Sequence, residues 1–269
     1  MTQFVPPIRR KDTAKGHHYV DGNGVRVPGV TTILGDGVPK PALINWAGNA
    51  TADAAINRWD ELAAMPPAQR LKTLQGARYE DKDRAANRGT EVHRLAEHLV
   101  HGETVQAPDE IAGHVESYAR FLDEFRVRAL WVEFSIASYR HGYAGTGDLI
   151  AHITMPDGSR PLLLMDLKTN RSGIFGETAL QLAAYRYADV LVDGDDEQPM
   201  PEVDGCAAIH VRGDGCDLIP VTADRAAFRT FLYAQQVARF SKDGRDLVGP
   251  PVPSPATSTY RLIREGTTA

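Results

Sequence analysis

Four consecutive apolar residues, 162–165, are followed by Asp166, Leu167 and Lys168 and then by a glycine-containing loop. A short apolar run bounded by turn-forming residues predicts a buried strand. Because side chains alternate between the two faces of a strand, Asp166 and Lys168 should share one face and Leu167 should occupy the other. Two charges at the edge of a core must be paired, solvated or bound to a metal, so this strand end is a candidate site of chemistry.

A second strand-like segment, residues 143–153, precedes this run and carries Asp148 after a glycine-rich turn. The sequence Pro-Asp-Gly at 156–158 predicts a turn that joins the two segments in a hairpin. Asp148 and Asp166 then become neighbours at one end of a small sheet, with Lys168 beside them. Carboxylate oxygens suit Mg²⁺ or Mn²⁺, and a nearby lysine can orient a water or stabilise charge that develops on phosphate.

The rest of the pattern predicts an α/β fold, in which a central mixed sheet is flanked by helices and preceded by a helical region. The sequence predicts hairpins at 17–27 and 205–221 and a strand at 130–138. It predicts helices at 41–64, 67–86, 110–129 and 223–240. A further helix should begin near residue 89, and the helix that carries Gln181 and Tyr185 should end at about residue 191. We expect residues 1–87 to pack on a core formed by 88–245, with 246–269 as a tail. Trp46 and Trp59 are expected to be core anchors.

A candidate metal ligand, His93, lies at the edge of an apolar helical stripe, with Glu97 and His101 four and eight residues later. Such a set on one helix face could hold zinc, so a zinc-dependent hydrolase is a minor alternative. The segment has no H-E-x-x-H motif, and Arg94 stands where H-x-x-E-H requires a histidine. Glu133, on a predicted strand, is a further possible ligand, although an exposed strand residue is the simpler interpretation.

Three elements of the sequence resemble the core of the PD-(D/E)XK nuclease superfamily: Gly147-Asp148, Asp166-Leu167-Lys168 and Gln181-x-x-x-Tyr185. The Gln-x-x-x-Tyr element is typical of the RecB-like exonuclease branch. That branch also has a histidine on an earlier helix, which the segment from Arg88 to His93 matches. The four elements occur in the order of that branch and span residues 88–185, and Gly147 stands where the superfamily name has proline.

The resemblance implies a restriction-endonuclease-like core and a metal-dependent DNA exonuclease of the phage type, which serves phage or bacterial recombination and repair. It implies a Mg²⁺ or Mn²⁺ site formed by His93, Asp148, Asp166 and the carbonyl of Leu167. It makes Asp148, Asp166 and Lys168 the catalytic residues, and Gln181 and Tyr185 the residues that position the DNA strand. The alternative without catalysis is a DNA-end-binding module that acts through a partner such as a single-strand annealing protein.

Composition modifies this picture only slightly. The formal net charge is −5, but residues 189–204 contain seven acids and no Lys or Arg, so a local basic track for DNA is compatible with the total. Related nucleases that carry an iron–sulfur cluster use four cysteines, whereas this sequence has Cys206 and Cys216 alone, so no cluster is expected. No apolar stretch suits a signal peptide or a membrane span, which predicts a cytoplasmic protein, in the bacterial host if phage-encoded.

Overall fold

The computed structural model describes residues 6–13, 16–170, 173–194 and 196–253, apart from the side chains of residues 42 and 80–85. Its strands are β1 (Arg9–Thr13), β2 (Gly16–Val20), β3 (Arg26–Val27), β4 (Arg128–Ser138), β5 (Tyr143–His152), β6 (Leu162–Lys168), β7 (Val190–Asp193), β8 (Asp196–Pro199), β9 (Gly205–Arg212) and β10 (Gly215–Val221). Its helices are α1 (Val30–Gly37), α2 (Pro41–Asn57), α3 (Trp59–Ala64), α4 (Pro67–Val100), α5 (Asp109–Glu124), α6 (Glu177–Arg186) and α7 (Arg225–Asp243). The predicted tail lies, from residue 254 onward, outside the described residues.

The centre of the fold is a seven-stranded mixed sheet with the strand order β10-β9-β6-β5-β4-β7-β8. β6 pairs with β9 in parallel, and the other neighbouring pairs are antiparallel. Helices cover both faces. The predicted α/β class, with a central mixed sheet flanked by helices, is therefore confirmed, and the arrangement is consistent with a nuclease-like core.

The two faces of the sheet have separate apolar cores. α1, α6 and α7 cover one face, where Ile33, Leu182 and Phe231 pack together. α4 and α5 cover the other, where Leu95 and Phe121 pack on the sheet. A strand that is covered on both faces needs apolar residues at successive positions, which explains the uninterrupted apolar run at the start of β6.

A small three-stranded sheet, β1-β2-β3, packs beside the main sheet. Its residues Tyr19 and Val27 form a third cluster with Ala137 and Ala144. The predicted N-terminal hairpin corresponds to the antiparallel pair β2–β3, which is closed by a turn in which the Asp21 carboxylate accepts backbone hydrogen bonds. The backbone then enters α1, and a bridge between Gly29 and Ala144 attaches this connection to the start of β5.

Three details of the helical prediction are wrong. α4 is a single helix of 34 residues with no break before Gly89, since one interior glycine costs only about 1 kcal/mol relative to alanine. The helix that was predicted to reach about residue 191 ends at Arg186, because 190–193 pairs with β4 as strand β7. Trp59 is 68% exposed, because α2 and α3 pack chiefly on α4 and on each other.

The acidic run after β7 is partly structured and not only a loop. Residues 196–199 form the edge strand β8, whose side chains are all exposed. Charged residues on an edge strand oppose pairing with further chains. No helix in the described ranges is both long and apolar enough to cross a membrane.

The crossing of α1 over α7 generates a prediction about stability. A Cβ atom at Gly37 would lie 2.1 Å from the carbonyl oxygen of Ala234, whereas a Cβ at Gly35 would meet nothing within 4 Å. We expect Gly37→Ala to lower the free energy of unfolding by about 1–3 kcal/mol, because the α7 backbone must move. Gly35→Ala, on the same helix, should be neutral or stabilise by up to about 1 kcal/mol. Denaturant unfolding measures both, and equal effects would contradict the close packing at Gly37.

Candidate active site

The candidate site lies where β5 and β6 separate. Their last paired residues are Leu149 and Met165, and Asp148 and Asp166 occupy the next position of each strand. The two carboxylates therefore flank the mouth of the fork between the strands, which is the arrangement that the predicted hairpin requires.

On one side of the fork, Asp166 belongs to a connected polar network with three other side chains. Its carboxylate is 2% exposed, and Oδ1 accepts a hydrogen bond of 2.7 Å from Nε2 of Gln181. Nζ of Lys168 lies 2.5 Å from Oδ2 of Asp166 and donates at 3.1 Å to Oε1 of Gln181. Nε2 of Gln181 also lies 3.1 Å from the hydroxyl of Tyr185. Gln181 thus fixes the acid and the lysine relative to each other.

Local structure explains why these residues meet. Leu163, Met165 and Leu167 of β6 join the core beneath α4 and α5, so Asp166 and Lys168 face α6 by strand alternation. Gln181 and Tyr185 are four residues apart on α6 and share the helix face that looks back at β6. Tyr185 is 1% exposed, which makes its hydroxyl a support for Gln181.

On the other side of the fork, Asp148 contacts the backbone of β6 and the helix α4. Its Oδ2 accepts a hydrogen bond of 2.6 Å from the amide of Leu167, and its Oδ1 lies 3.6 Å from Nδ1 of His93. In an extended strand the N–H and C=O of one residue point to the same side. The carbonyl of Leu167 therefore also faces the strand that carries Asp148.

A third carboxylate, Glu133, joins this side of the site. It lies on β4 opposite Asp148, between the paired positions Val132–Leu149 and Phe134–Gly147. Single ligand atoms of His93, Glu133 and Asp148 all lie within 4.8 Å of one another. The simpler interpretation of Glu133 as an exposed strand residue is wrong, because the residue is half-buried. The pairing of β4 with β5, which the structure shows, is what brings Glu133 opposite Asp148.

The backbone at Glu133 is unusual. Its φ of 48° lies in the left-handed region, which is uncommon for a residue other than glycine. The alternation of faces also breaks here, since Phe134 belongs to the core under α6 and α7, whereas Val132 packs against the core under α4 and α5. Gly147 permits the close approach, because a Cβ there would lie 2.5 Å from the Phe134 ring. The distortion places Glu133 and Asp148 together at the switch between faces.

A small cavity connects these ligands. Its lining includes His93, Glu97, Tyr118, Glu133 and Asp148. The centre of a water molecule could move within about 20 Å³ of this cavity without touching the protein. That is enough for one water or ion, since about 10–15 Å³ by the same measure suffices. Tyr118 is 3% exposed. Its hydroxyl makes no hydrogen bond with the described residues, so a polar occupant of the cavity would find a partner there.

The site concentrates negative charge. Burial, followed by the charges of Asp148 and Glu97, raises the pKa of Glu133 to about 8. Burial and Asp148 raise the pKa of Asp166 to about 6, although Lys168 opposes the rise. Burial alone would lower the pKa of Lys168, but the charges of Asp166 and Asp148 outweigh it and raise the pKa. The lysine is therefore an ammonium ion at neutral pH. Its single positive charge does not balance the negative charge of the carboxylates around it.

These groups fit a divalent cation. Oδ2 of Asp166 is buried, and its close partner in the described part of the chain is Nζ of Lys168 at 2.5 Å. One imidazole with several carboxylate oxygens suits Mn²⁺ or Mg²⁺. Of the predicted ligands, the structure groups His93 with Asp148 and adds Glu133, while Asp166 is held apart by Gln181 and Lys168.

The alternative zinc set on one helix is not assembled. Glu97 lines the cavity beside His93, but His101 is exposed at the end of α4 and does not belong to the ligand group found among the described residues. The two cysteines lie elsewhere, on β9 and β10, and both are free. Burial raises the pKa of Cys206 to about 11 and that of Cys216 to about 12, so both are thiols at neutral pH.

Comparison with known proteins adds no family assignment. Neither a scan against protein-family models nor a search of curated protein sequences gives a match to this chain. Function is therefore inferred from the geometry and chemistry of the site.

The raised pKa of Glu133 predicts the pH dependence of stability in metal-free protein. Between its ordinary pKa of 4.5 and its folded pKa of about 8, the unfolded chain has lost the proton that the folded chain retains. Stability should then fall as pH rises, by up to about 1.4 kcal/mol per pH unit from this group. We expect Glu133→Gln to flatten the fall between pH 5 and 8 and to be more stable than wild type at pH 8.

Thermal unfolding in the presence of EDTA measures this effect. Glu116→Gln, at an exposed position of α5, makes the same chemical change away from the site and should retain the wild-type slope. A slope for Glu133→Gln that equals the wild-type slope would show that Glu133 is ionised in the folded protein.

Proposed function

We propose that this protein is a metal-dependent deoxyribonuclease that hydrolyses phosphodiester bonds from DNA ends. The observation that carries the proposal is the convergence of Asp148, Asp166 and Lys168 at one end of the sheet, with His93 and Glu133 against Asp148. A group of ligands suited to a divalent cation, with a charged lysine nearby, is what hydrolysis of a charged phosphodiester needs. By its motifs the site resembles that of RecB-like exonucleases.

The roles of the side chains follow from their positions. His93, Glu133 and Asp148, with the carbonyl of Leu167, would hold Mg²⁺ or Mn²⁺. When bound, the metal would polarise a phosphoryl oxygen and lower the pKa of water. Lys168 is charged and held by Gln181, so it donates hydrogen bonds, orients the attacking water and stabilises the negative charge that develops on the phosphate.

Gln181 and Tyr185 act from behind Lys168. The amide of Gln181 donates to Asp166 and accepts from Lys168, so one side chain sets the separation of the acid and the lysine. The buried hydroxyl of Tyr185 fixes that amide. We assign Gln181 to the positioning of Lys168 and, through it, of the scissile phosphate, and Tyr185 to the positioning of Gln181.

End dependence is suggested by the helical region before the site. Nζ of Lys40, at the start of α2, lies 2.9 Å from Oε1 of Glu177 at the start of α6, and the charge of Glu177 contributes to the raised pKa of Lys168. The N-terminal helices are thus anchored beside the catalytic lysine. A wall at that place favours entry of a strand by its end, with contacts to phosphates and no reading of sequence.

A DNA-end-binding module without catalysis, working with a partner such as a single-strand annealing protein, is the second candidate. The resemblance to end-processing nucleases would be retained in such a module. It needs no charged lysine fixed against a buried acid, and that pair is costly to maintain unless it is used. A linear DNA with a free end is the expected partner in either case.

The chemistry is tested by two substitutions that remove one group each. Asp166→Asn and Lys168→Met should each lower Mn²⁺-dependent cleavage of linear DNA on the order of 100-fold or more, because the first removes the carboxylate that pairs with Lys168 and the second removes the ammonium that would stabilise charge developing on the phosphate. Lys72→Met, at an exposed position of α4, is the matched control and should cut at the wild-type rate. Gel assays with Mn²⁺, Mg²⁺ or EDTA measure the rates, and melting curves check folding. Wild-type activity in either site variant would refute the assignment.

The end requirement is tested with DNA topology. Linear duplex, nicked circle, closed circle and circular single strand are incubated at equal concentration with Mn²⁺. Linear DNA should shorten progressively while closed circles persist, because the walled site admits a terminus. Rapid cutting of closed circular duplex would make the protein an endonuclease, even if the catalytic residues are correct.

A further inference from the structure

A groove that is larger than the cavity at the active site lies away from the fork between β5 and β6. It has a volume of about 1310 Å³ and runs between β2–β3, the start of α1, the β4–β5 turn and one face of α7. Sites for small molecules are typically about 300–1,000 Å³. The groove is therefore better suited to an extended ligand than to a single small one.

The charge of this groove opposes that of the whole protein. Four cationic side chains line it: Arg26, Arg140, Arg239 and Lys242. Among the described lining residues, Asp243 is the one carboxylate, although Lys242 also lies 3.2 Å from Asp36. The structure gives no ion-pair partner to the exposed side chains of Arg26 and Arg140 among the described residues. A basic groove on a chain of net charge −5 indicates an anionic ligand.

Uncharged hydrogen-bond donors in the groove also favour an anionic ligand. α1 begins in the groove at Gly29, and no side chain caps its first N–H groups. The N-terminus of a helix favours anions, because these N–H groups are unpaired and the helix dipole is positive there. The hydroxyls of Thr31 and Thr32 line the groove beside it. Burial lowers the pKa of His17 and of His141, so both rings are neutral hydrogen-bonding groups at pH 7.

One residue connects the groove to the candidate active site. Tyr19 lines the groove, and its hydroxyl lies 2.7 Å from Oγ1 of Thr146. Thr146 is two residues before Asp148 on β5. Tyr19 is 5% exposed, so it links the floor of the groove to the strand that carries Asp148.

We propose that this groove binds the sugar–phosphate backbone of the DNA that leads to the active site, with Arg26 and Arg140 as phosphate contacts. The proposal rests on the proposed nuclease function for the identity of the polyanion. It adds a binding site that shares no lining residue with the cavity of the metal ligands. Contacts of this kind hold DNA of any sequence and weaken with salt.

The test measures binding without cleavage. A fluorescein-labelled 30-nucleotide single strand is titrated with protein in EDTA, and fluorescence anisotropy is recorded from 50 to 300 mM NaCl. The double variant Arg26→Gln/Arg140→Gln should bind roughly ten- to thirtyfold more weakly near 0.1 M salt. The slope of log K against log salt should become shallower by about 0.7 for each arginine.

The control is Arg120→Gln/Arg128→Gln, which removes the same charge from exposed positions outside the groove. It should bind like wild type, and melting curves should be unchanged for both double variants. Equal binding by wild type and the groove variant would overturn the proposal. Competition by thymidine monophosphate as effective as that by the oligonucleotide would overturn it too, because it would show a small-anion site.

A second substrate separates this proposal from the nuclease proposal. The p-nitrophenyl ester of thymidine 5′-phosphate occupies the catalytic fork alone, so the groove variant should hydrolyse it at the wild-type rate with Mn²⁺. If wild type cleaves neither ester nor DNA, the nuclease proposal fails, but weakened DNA binding by the groove variant would still support the groove. Impaired ester hydrolysis by a folded groove variant would assign the arginines to the catalytic site and overturn the proposal.

Discussion

The repulsion between buried carboxylates at the β5–β6 fork is the constraint on which the rest of the site depends. Asp148 and Asp166 lie at adjacent positions of two strands that have just separated, and Glu133 faces Asp148 from a third strand. Burial, followed by the charge of Asp148, raises the pKa of both Glu133 and Asp166. Each surrounding group supplies something that makes this crowding tolerable, and the fold can be understood as the means of bringing those groups to one place.

The compensating groups come from both faces of the sheet. Lys168 and Gln181 approach Asp166 from the face covered by α6, while His93 approaches Asp148 from α4 on the other face. In a regular strand, residues two positions apart point to the same face of the sheet, so a regular β4 could not place Val132 and Phe134 on opposite faces. The left-handed backbone at Glu133 and the glycine at 147 change the face at this point. Strained backbone of about this kind costs on the order of 1–3 kcal/mol and persists where the surroundings determine it.

Sequence patterns predicted the local parts of this arrangement and missed the parts that depend on long-range packing. Alternation placed Asp166 and Lys168 on one face, and turn residues placed Asp148 next to Asp166, because both depend on neighbours in sequence. The burial of Glu133 depends on a backbone distortion, which hydrophobic patterning cannot reveal. Gly89 suggested a helix boundary, but packing on the sheet carries α4 through it. The apolar pattern at Val190 and Leu191 predicted a continuation of the helix, but these residues form a strand because they pair with β4.

Electrostatics also relates the active site to the groove beside it. A DNA phosphate that approached Asp148 and Asp166 directly would meet negative charge in a place of low dielectric, so the approach would be unfavourable until that charge is neutralised. Arg26 and Arg140 lie in a groove with a single carboxylate among its described lining residues, so under our proposal the same DNA would be attracted there. Separate locations for attraction and for chemistry would allow an acidic protein to hold a polyanion without weakening its carboxylate site. Net charge would then be a poor guide to binding, since the seven acids of residues 189–204 alone exceed the net charge of −5 and lie outside the groove.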